Sequence, residues 1–262
     1  MSTPLSVRGT EIHVEGEGAE SIVMVHGWPD TYRLWDATVE ALKGRYRCVR
    51  FTLPGFDPRS DGRSHTLDEL IAFLGEVIER TSPGKKVILL LHDWGCFFGY
   101  QFYARHPEKV SRIVGVDIGD PRATAKTMTG REKAIMLAYQ TWNALAWRVG
   151  GPTGTWMIRT MARLGRCPSD PAPMSWRMGY PYWQLWFGGR DSFRGQVRRF
   201  EPKVPMLFVY GVRKPLRFHS PAWAEELGKQ PGNQVVEFDT GHWVMSNDPL
   251  RFNQVVAHWL GR

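Results

Sequence analysis

Cysteine is scarce in this chain. Cys48, Cys96 and Cys167 are its only three in 262 residues, and they stand far apart without C-x-x-C pairing. That spacing excludes a disulfide framework and a zinc or dithiol site, and leaves reduced, mostly buried thiols as the expectation. Long apolar runs are also missing. No segment approaches the roughly 18 uninterrupted apolar residues of a membrane span, and Ser2 to Glu15 lacks the apolar centre of a signal peptide. The expectation is a soluble, cytoplasmic chain with no membrane partner. His-x-x-x-His spacing, mixed Cys/His ligand spacing and a Gly-rich phosphate loop after the first strand are absent as well, so neither a metal nor an organic cofactor is implied. Acidic residues fall short of basic ones, 26 against 34, for a net charge of +8. Much of the excess is arginine near positions 159–166 and 190–199. Without a nucleic-acid motif these clusters read as solvated faces, and no nucleic-acid partner is expected.

What is present is a run of short, continuous apolar or β-branched segments: Ser21 to Val25, Tyr46 to Thr52, Val87 to Leu91, Ile113 to Val116 and Pro205 to Tyr210. Such runs suit parallel strands buried on both faces. Thr10 to Glu17 alternates loosely and reads as an earlier strand, and Gln234 to Phe238 as a late one. Helical stripes lie between them. Leu67, Leu70, Ile71, Leu74, Val77 and Ile78 mark one before a Pro83-Gly84 stop; residues 97–106, 221–227 and 250–260 supply others. This alternation predicts a three-layer α/β fold with a mostly parallel central sheet.

Between Asp120 and about Val204 the alternation stops. Trp142, Trp147, Trp156, Trp176, Trp183 and Trp186 all fall in this stretch, which is too long for a loop and too aromatic for disorder. The expected organisation is a core of residues 1–119 and 204–262 interrupted by a helical cap over residues 120–203.

Three motifs follow strand ends in order: His26-Gly27-Trp28-Pro29, His92-Asp93-Trp94-Gly95 and Gly241-His242-Trp243. Carboxyl ends of strands are where open α/β sheets assemble their sites. The ordered set resembles the α/β-hydrolase fold, and within it the aspartate-nucleophile branch of epoxide hydrolases and haloalkane dehalogenases, over about Ser21 to Trp259. The resemblance implies that Asp93 is the nucleophile and forms an ester with an electrophilic carbon. It implies that His242 activates the water that resolves the ester, and that backbone N–H groups of Trp28 and Trp94 form the oxyanion hole. A carboxylate suits the first task because it is ionised at neutral pH without help. His26 is expected to shape its loop, and His65, His106, His219 and His258 to be ordinary.

The sequence departs from the commonest family pattern at two places. The acid that orients the histidine usually lies three residues beyond the Gly closing the strand that ends here at Gly211, where this chain has Lys214. A lysine cannot accept the imidazole N–H. The family's other location for this acid corresponds to Asp117, with Asp120 as the alternative and Asp239 or Asp248 behind it. Leu91 also fills the place two before the nucleophile that is often Gly.

Epoxide opening needs O–H donors for the departing oxygen, and the epoxide hydrolases use two cap tyrosines. Tyr139 and Tyr182, with Tyr180 as the alternative second donor, match them here. Trp28 between Gly27 and Pro29 also resembles the epoxide hydrolases. The expected activity is therefore hydrolysis of a small hydrophobic epoxide to a diol, with water as cosubstrate. Alternatives are haloalkane dehalogenation with the same nucleophile and base, and a noncatalytic ligand-binding homologue of the fold.

Overall fold

A computed structural model describes residues 5–262. Eight strands form one sheet: β1 (Ser6–Val7), β2 (Thr10–Glu15), β3 (Ser21–Val25), β4 (Arg47–Phe51), β5 (Val87–His92), β6 (Val110–Val116), β7 (Met206–Gly211) and β8 (Gln234–Phe238). Their order is β1-β2-β4-β3-β5-β6-β7-β8. The first two strands pair antiparallel, as do β2 and β4, and every later pairing is parallel. β3 and β5 are buried along their whole length, which is why they read as unbroken apolar runs rather than alternating ones.

Side-chain alternation splits the core into two layers. Val23, Val25, Leu89 and Leu91 point to one face; Ile22, Met24, Ile88 and Leu90 point to the other. The first face is covered by α2 (Leu67–Thr81), α3 (Trp94–Tyr103) and α9 (Pro221–Lys229). The second is covered by α1 (Asp36–Leu42) and α11 (Pro249–Leu260), through Val39, Leu42, Phe252, Val256 and Trp259. α2 starts on a capping box, in which the Thr66 hydroxyl accepts from the Glu69 N–H and the Glu69 carboxylate accepts from the Thr66 N–H. α3 ends at Tyr103, three residues short of the expected stop, because His106 precedes Pro107 and is held out of the helical region. β6 begins at Val110 rather than Ile113: Arg112 is polar yet paired with Ile88, and the register skips Ser111, whose hydroxyl donates to the Val87 carbonyl.

Between β6 and β7 the chain builds helices only: α4 (Pro121–Thr127), α5 (Gly130–Val149), α6 (Gly151–Leu164), α7 (Tyr180–Phe187) and α8 (Phe193–Gln196). A last short helix, α10 (Val244–Asn247), follows the third motif. The arginines that crowd the insertion are partly structural. Arg159 donates to the carbonyls of Ala172 and Met174, and Arg177 to that of Ser60, tying loops together. Among the described residues no helix is long and apolar enough to cross a membrane.

Candidate active site

Asp93 begins α3 in a backbone conformation that side chains rarely adopt, with φ of 52° and ψ of −122°. The strain is held by close packing on both sides. A side chain at Gly27 would strike the Asp93 Cβ, and one at Gly95 would strike the Val25 carbonyl, so both positions admit only glycine without a shift. The turn thus pushes the carboxylate out of the end of β5 toward the insertion.

Burial raises Asp93 from the ordinary carboxylate range to about 6, with the nearby Asp30 adding to the rise; His242 and the backbone N–H groups of Trp94 and Trp28 oppose it. Those two amides therefore point at the carboxyl group, one from the loop after β3 and one from the first turn of α3. The Trp28-Pro29 peptide is cis. His26 locks the same loop: its Nε2 accepts from the Leu53 N–H at 2.9 Å, which leaves Nδ1 protonated to donate to the Gly27 carbonyl at 2.8 Å. Burial lowers His26 to about 4, so it stays a neutral strut rather than a proton carrier.

His242, after β8, places Nδ1 2.5 Å from Oδ2 of Asp117. Asp117 follows β6 and is fully buried, at a φ of 69°. Its other oxygen, Oδ1, accepts from the Gly211 N–H at 3.0 Å and from the Lys214 ammonium. Burial alone would raise this carboxyl, but the His242 N–H and charge, joined by Lys214, reverse that and hold it at about 2. The other candidate acids are engaged elsewhere. Asp120 caps α4, Asp248 caps α11, and Asp239 pairs with Arg213 on the surface.

The insertion brings two tyrosines over this constellation. The hydroxyls of Tyr139 on α5 and Tyr182 on α7 lie 2.6 Å apart, and both rings stand edge-on to Trp28, at 5.6 and 5.9 Å. Trp94 meets Tyr182 at 5.2 Å. Burial, together with the field of Asp93, raises both phenols well above 10, so each remains a donor through the neutral range. Tyr180, on the same helix as Tyr182, points away: it packs on Phe56 and His65, and its buried hydroxyl has no partner among the described residues.

One buried neighbour of Asp93 is not announced by the three motifs. Asp30 is buried near Asp93, accepting from Trp243 Nε1 at 2.9 Å and from the Ser169 hydroxyl of the insertion, and burial raises it to about 6. It links the first loop, the insertion and the loop bearing His242. Its place directly after Pro29 was the available signal. His219, expected from the sequence to be ordinary, is buried beside Lys214 and lowered to about 4, mainly by burial. The cysteines are free, with Cys48 and Cys96 buried and Cys167 partly so.

Residues 22–255 match the model of the alpha/beta hydrolase family. A relative aligned along nearly the whole chain is the cis-3-alkyl-4-alkyloxetan-2-one decarboxylase of Shewanella oneidensis, 32% identical over 97% of this chain and 85% of that protein. A probable oxidoreductase EphD of Mycobacterium tuberculosis is 34% identical over 43% of this chain, a match that spans only 19% of that longer protein. Among solved structures, an epoxide hydrolase from Bacillus megaterium superposes with a TM-score of 0.75 at 18% identity, covering 99% of this chain and all of that one. The sheet order, the strained turn at Asp93 and these matches lead to one assignment: the chain belongs to the alpha/beta hydrolase family.

Proposed function

We propose that this hydrolase opens a hydrophobic epoxide to a diol through an ester on Asp93, with the helical insertion acting as the cap of the active site. The observation that carries the reading is the Tyr139–Tyr182 hydroxyl pair, 2.6 Å apart and facing the field of the buried nucleophile. An Asp93 oxygen attacks a ring carbon in line. The ring C–O bond breaks, its electron pair goes to oxygen, and a tyrosine O–H supplies the proton. His242 then takes a proton from water as that water adds to the ester carbonyl of Asp93. The Trp28 and Trp94 amides stabilise the resulting oxyanion, by about 3 kcal/mol for each well-aimed donor. Collapse expels the diol and regenerates the carboxylate; the proton on His242 returns to the tyrosinate.

The alignment along nearly the whole chain favours a second reading. Attack of Asp93 on C4 of an oxetan-2-one would break the C4–O bond and free a carboxylate. Loss of CO2 would then form the alkene as the C4–Asp93 bond returns its pair to the enzyme. No water is consumed on that route. A halide substrate is less well served, since the Tyr139 and Tyr182 hydroxyls are engaged with each other and Trp28 takes the loop position where dehalogenases commonly carry Asn or Glu.

The deciding experiment is a single turnover in heavy-oxygen water with an aryl epoxide, followed by peptide mass analysis, beside parallel assays with an oxetan-2-one and a haloalkane. Diol formation with label in Asp93 is expected. Active diol formation with Asp93 unlabelled would rule out the ester route, and CO2 or halide release without diol would replace the epoxide with the corresponding substrate.

A further inference from the structure

Lys214 occupies the position that usually carries the family's acid, and its ammonium is turned onto the acid that β6 supplies instead. The side chain is 6% exposed and Asp117 is wholly buried. Nζ donates to Asp117 Oδ1 and, at 2.7 Å, to the Gly211 carbonyl, and it lies 5.8 Å from the Phe218 ring. Asp117 thus divides its two oxygens between two cations or potential cations, Lys214 on Oδ1 and His242 on Oδ2.

We infer that Lys214 is a positioning residue for the catalytic base: it fixes one Asp117 oxygen, aims the other at His242, and weakens the acid's hold on the imidazole proton. The inference rests on the reading of Asp117 and His242 given above. A buried ammonium bound to the same carboxylate screens the charge that an imidazolium would feel, and repels the imidazolium directly. His242 therefore sheds its proton more easily than in a triad whose acid has no counter-ion.

Other groups face His242 and are common to every variant below. The ring of His92, from the end of β5, lies 4.5 Å from that of His242 at a 40° tilt, and its Nε2 is 3.2 Å from the His242 carbonyl; burial keeps it neutral. Asp93 and Asp30 contribute negative charge from the nucleophile turn and the first loop. His219, from the loop before α9, is neutral near pH 7 and neighbours Lys214 rather than the imidazole. Lys214 is the buried permanent cation of this cluster, so its removal isolates the effect.

The test compares Lys214→Met, Lys214→Gln and Lys214→Arg with the parent, after circular dichroism has established that each folds. Two quantities are read. The first is the midpoint of the His242 imidazole proton titration by NMR, without substrate, assigned by loss of the resonance in His242→Gln. The second is the pH profile of ester hydrolysis in single-turnover epoxide experiments. In the two uncharged variants the titration midpoint and the acid limb should both rise by about one pH unit, while ester formation changes less than about twofold. Lys214→Arg should stay within about 0.3 unit of the parent. Equal midpoints in parent and uncharged variants overturn the inference, as does failure of both uncharged variants to fold while Lys214→Arg does. Absence of epoxide turnover in the parent would instead refute the proposed function and leave the substrate-free titration to decide the role of Lys214.

Discussion

Leu91 fills the volume that a side chain on Gly99 would need. A Cβ at position 99 would lie 2.5 Å from both terminal carbons of Leu91. The bulky residue two places before Asp93, where glycine is common in the family, is thus accommodated a turn and a half into α3 rather than within the turn at Asp93 itself.

That pairing predicts a coupled stability effect. Gly99→Ala should destabilise the fold by about 1–3 kcal/mol through overpacking, despite the better helix propensity of alanine. In a Leu91→Ala background the same change should be neutral or stabilising, because the cavity left by leucine accepts the new methyl group. Urea unfolding of the two single variants and the double variant measures the coupling, and simple additivity would count against the contact as the reason for glycine at 99.

The burial of Asp93, the proposed nucleophile, predicts an opposite trade between stability and activity. Burial raises Asp93 to about 6, above the ordinary value of 3.8. The folded state therefore holds this proton more tightly than the unfolded state, and the contribution of Asp93 to stability falls as pH rises from about 4 to about 6, then levels off. Asp93→Asn should escape that loss, gaining about 3 kcal/mol near neutral pH and nothing near pH 4 while abolishing turnover. Denaturation midpoints across that pH range test the sign. The parent's ester-forming step should fall about tenfold per pH unit below 6, as the nucleophile protonates.

The sheet was legible because its central strands are buried on both faces and so appear as apolar runs; Val87 to Leu91 needed no partner to be recognised. The edges were less legible. β1 is two residues long, and α1 is so short that Asp36 to Leu42 carries little periodic signal. Within the site, residues adjacent to strand ends could be read from order along the chain. Only the resemblance puts Asp117 ahead of Asp120, because both stand at the same junction; the fold separates them by turning Asp117 inward at positive φ and using Asp120 to cap α4. Lys214 looked like the loss of an acid, and only the spatial register of β6 beside β7 turns it into a counter-ion. Tyr180 and Tyr182 are likewise equivalent on paper. Two positions along a helix differ by about 200° in direction, which sends one ring toward Tyr139 and the other toward Phe56 and His65.

That divergence carries the last prediction, which separates the two tyrosines by chemistry rather than by packing. Tyr139→Phe and Tyr182→Phe should each slow epoxide-dependent ester formation by about 10²-fold, the usual contribution of a positioned acid, whereas Tyr180→Phe should leave it within about threefold. The Tyr139 and Tyr182 hydroxyls share one hydrogen bond, so removing either disturbs the other. The double variant should accordingly lose less than the product of the single losses. Ester hydrolysis, which depends on His242 and the backbone amides, should change little in any of the three. Stopped-flow single turnovers resolve the two steps through the quenched tryptophan signal expected of Trp28 and Trp94 against the tyrosine pair. Equal losses in Tyr180→Phe and Tyr182→Phe would mean that packing of the insertion, and not proton donation, explains the dependence on these residues.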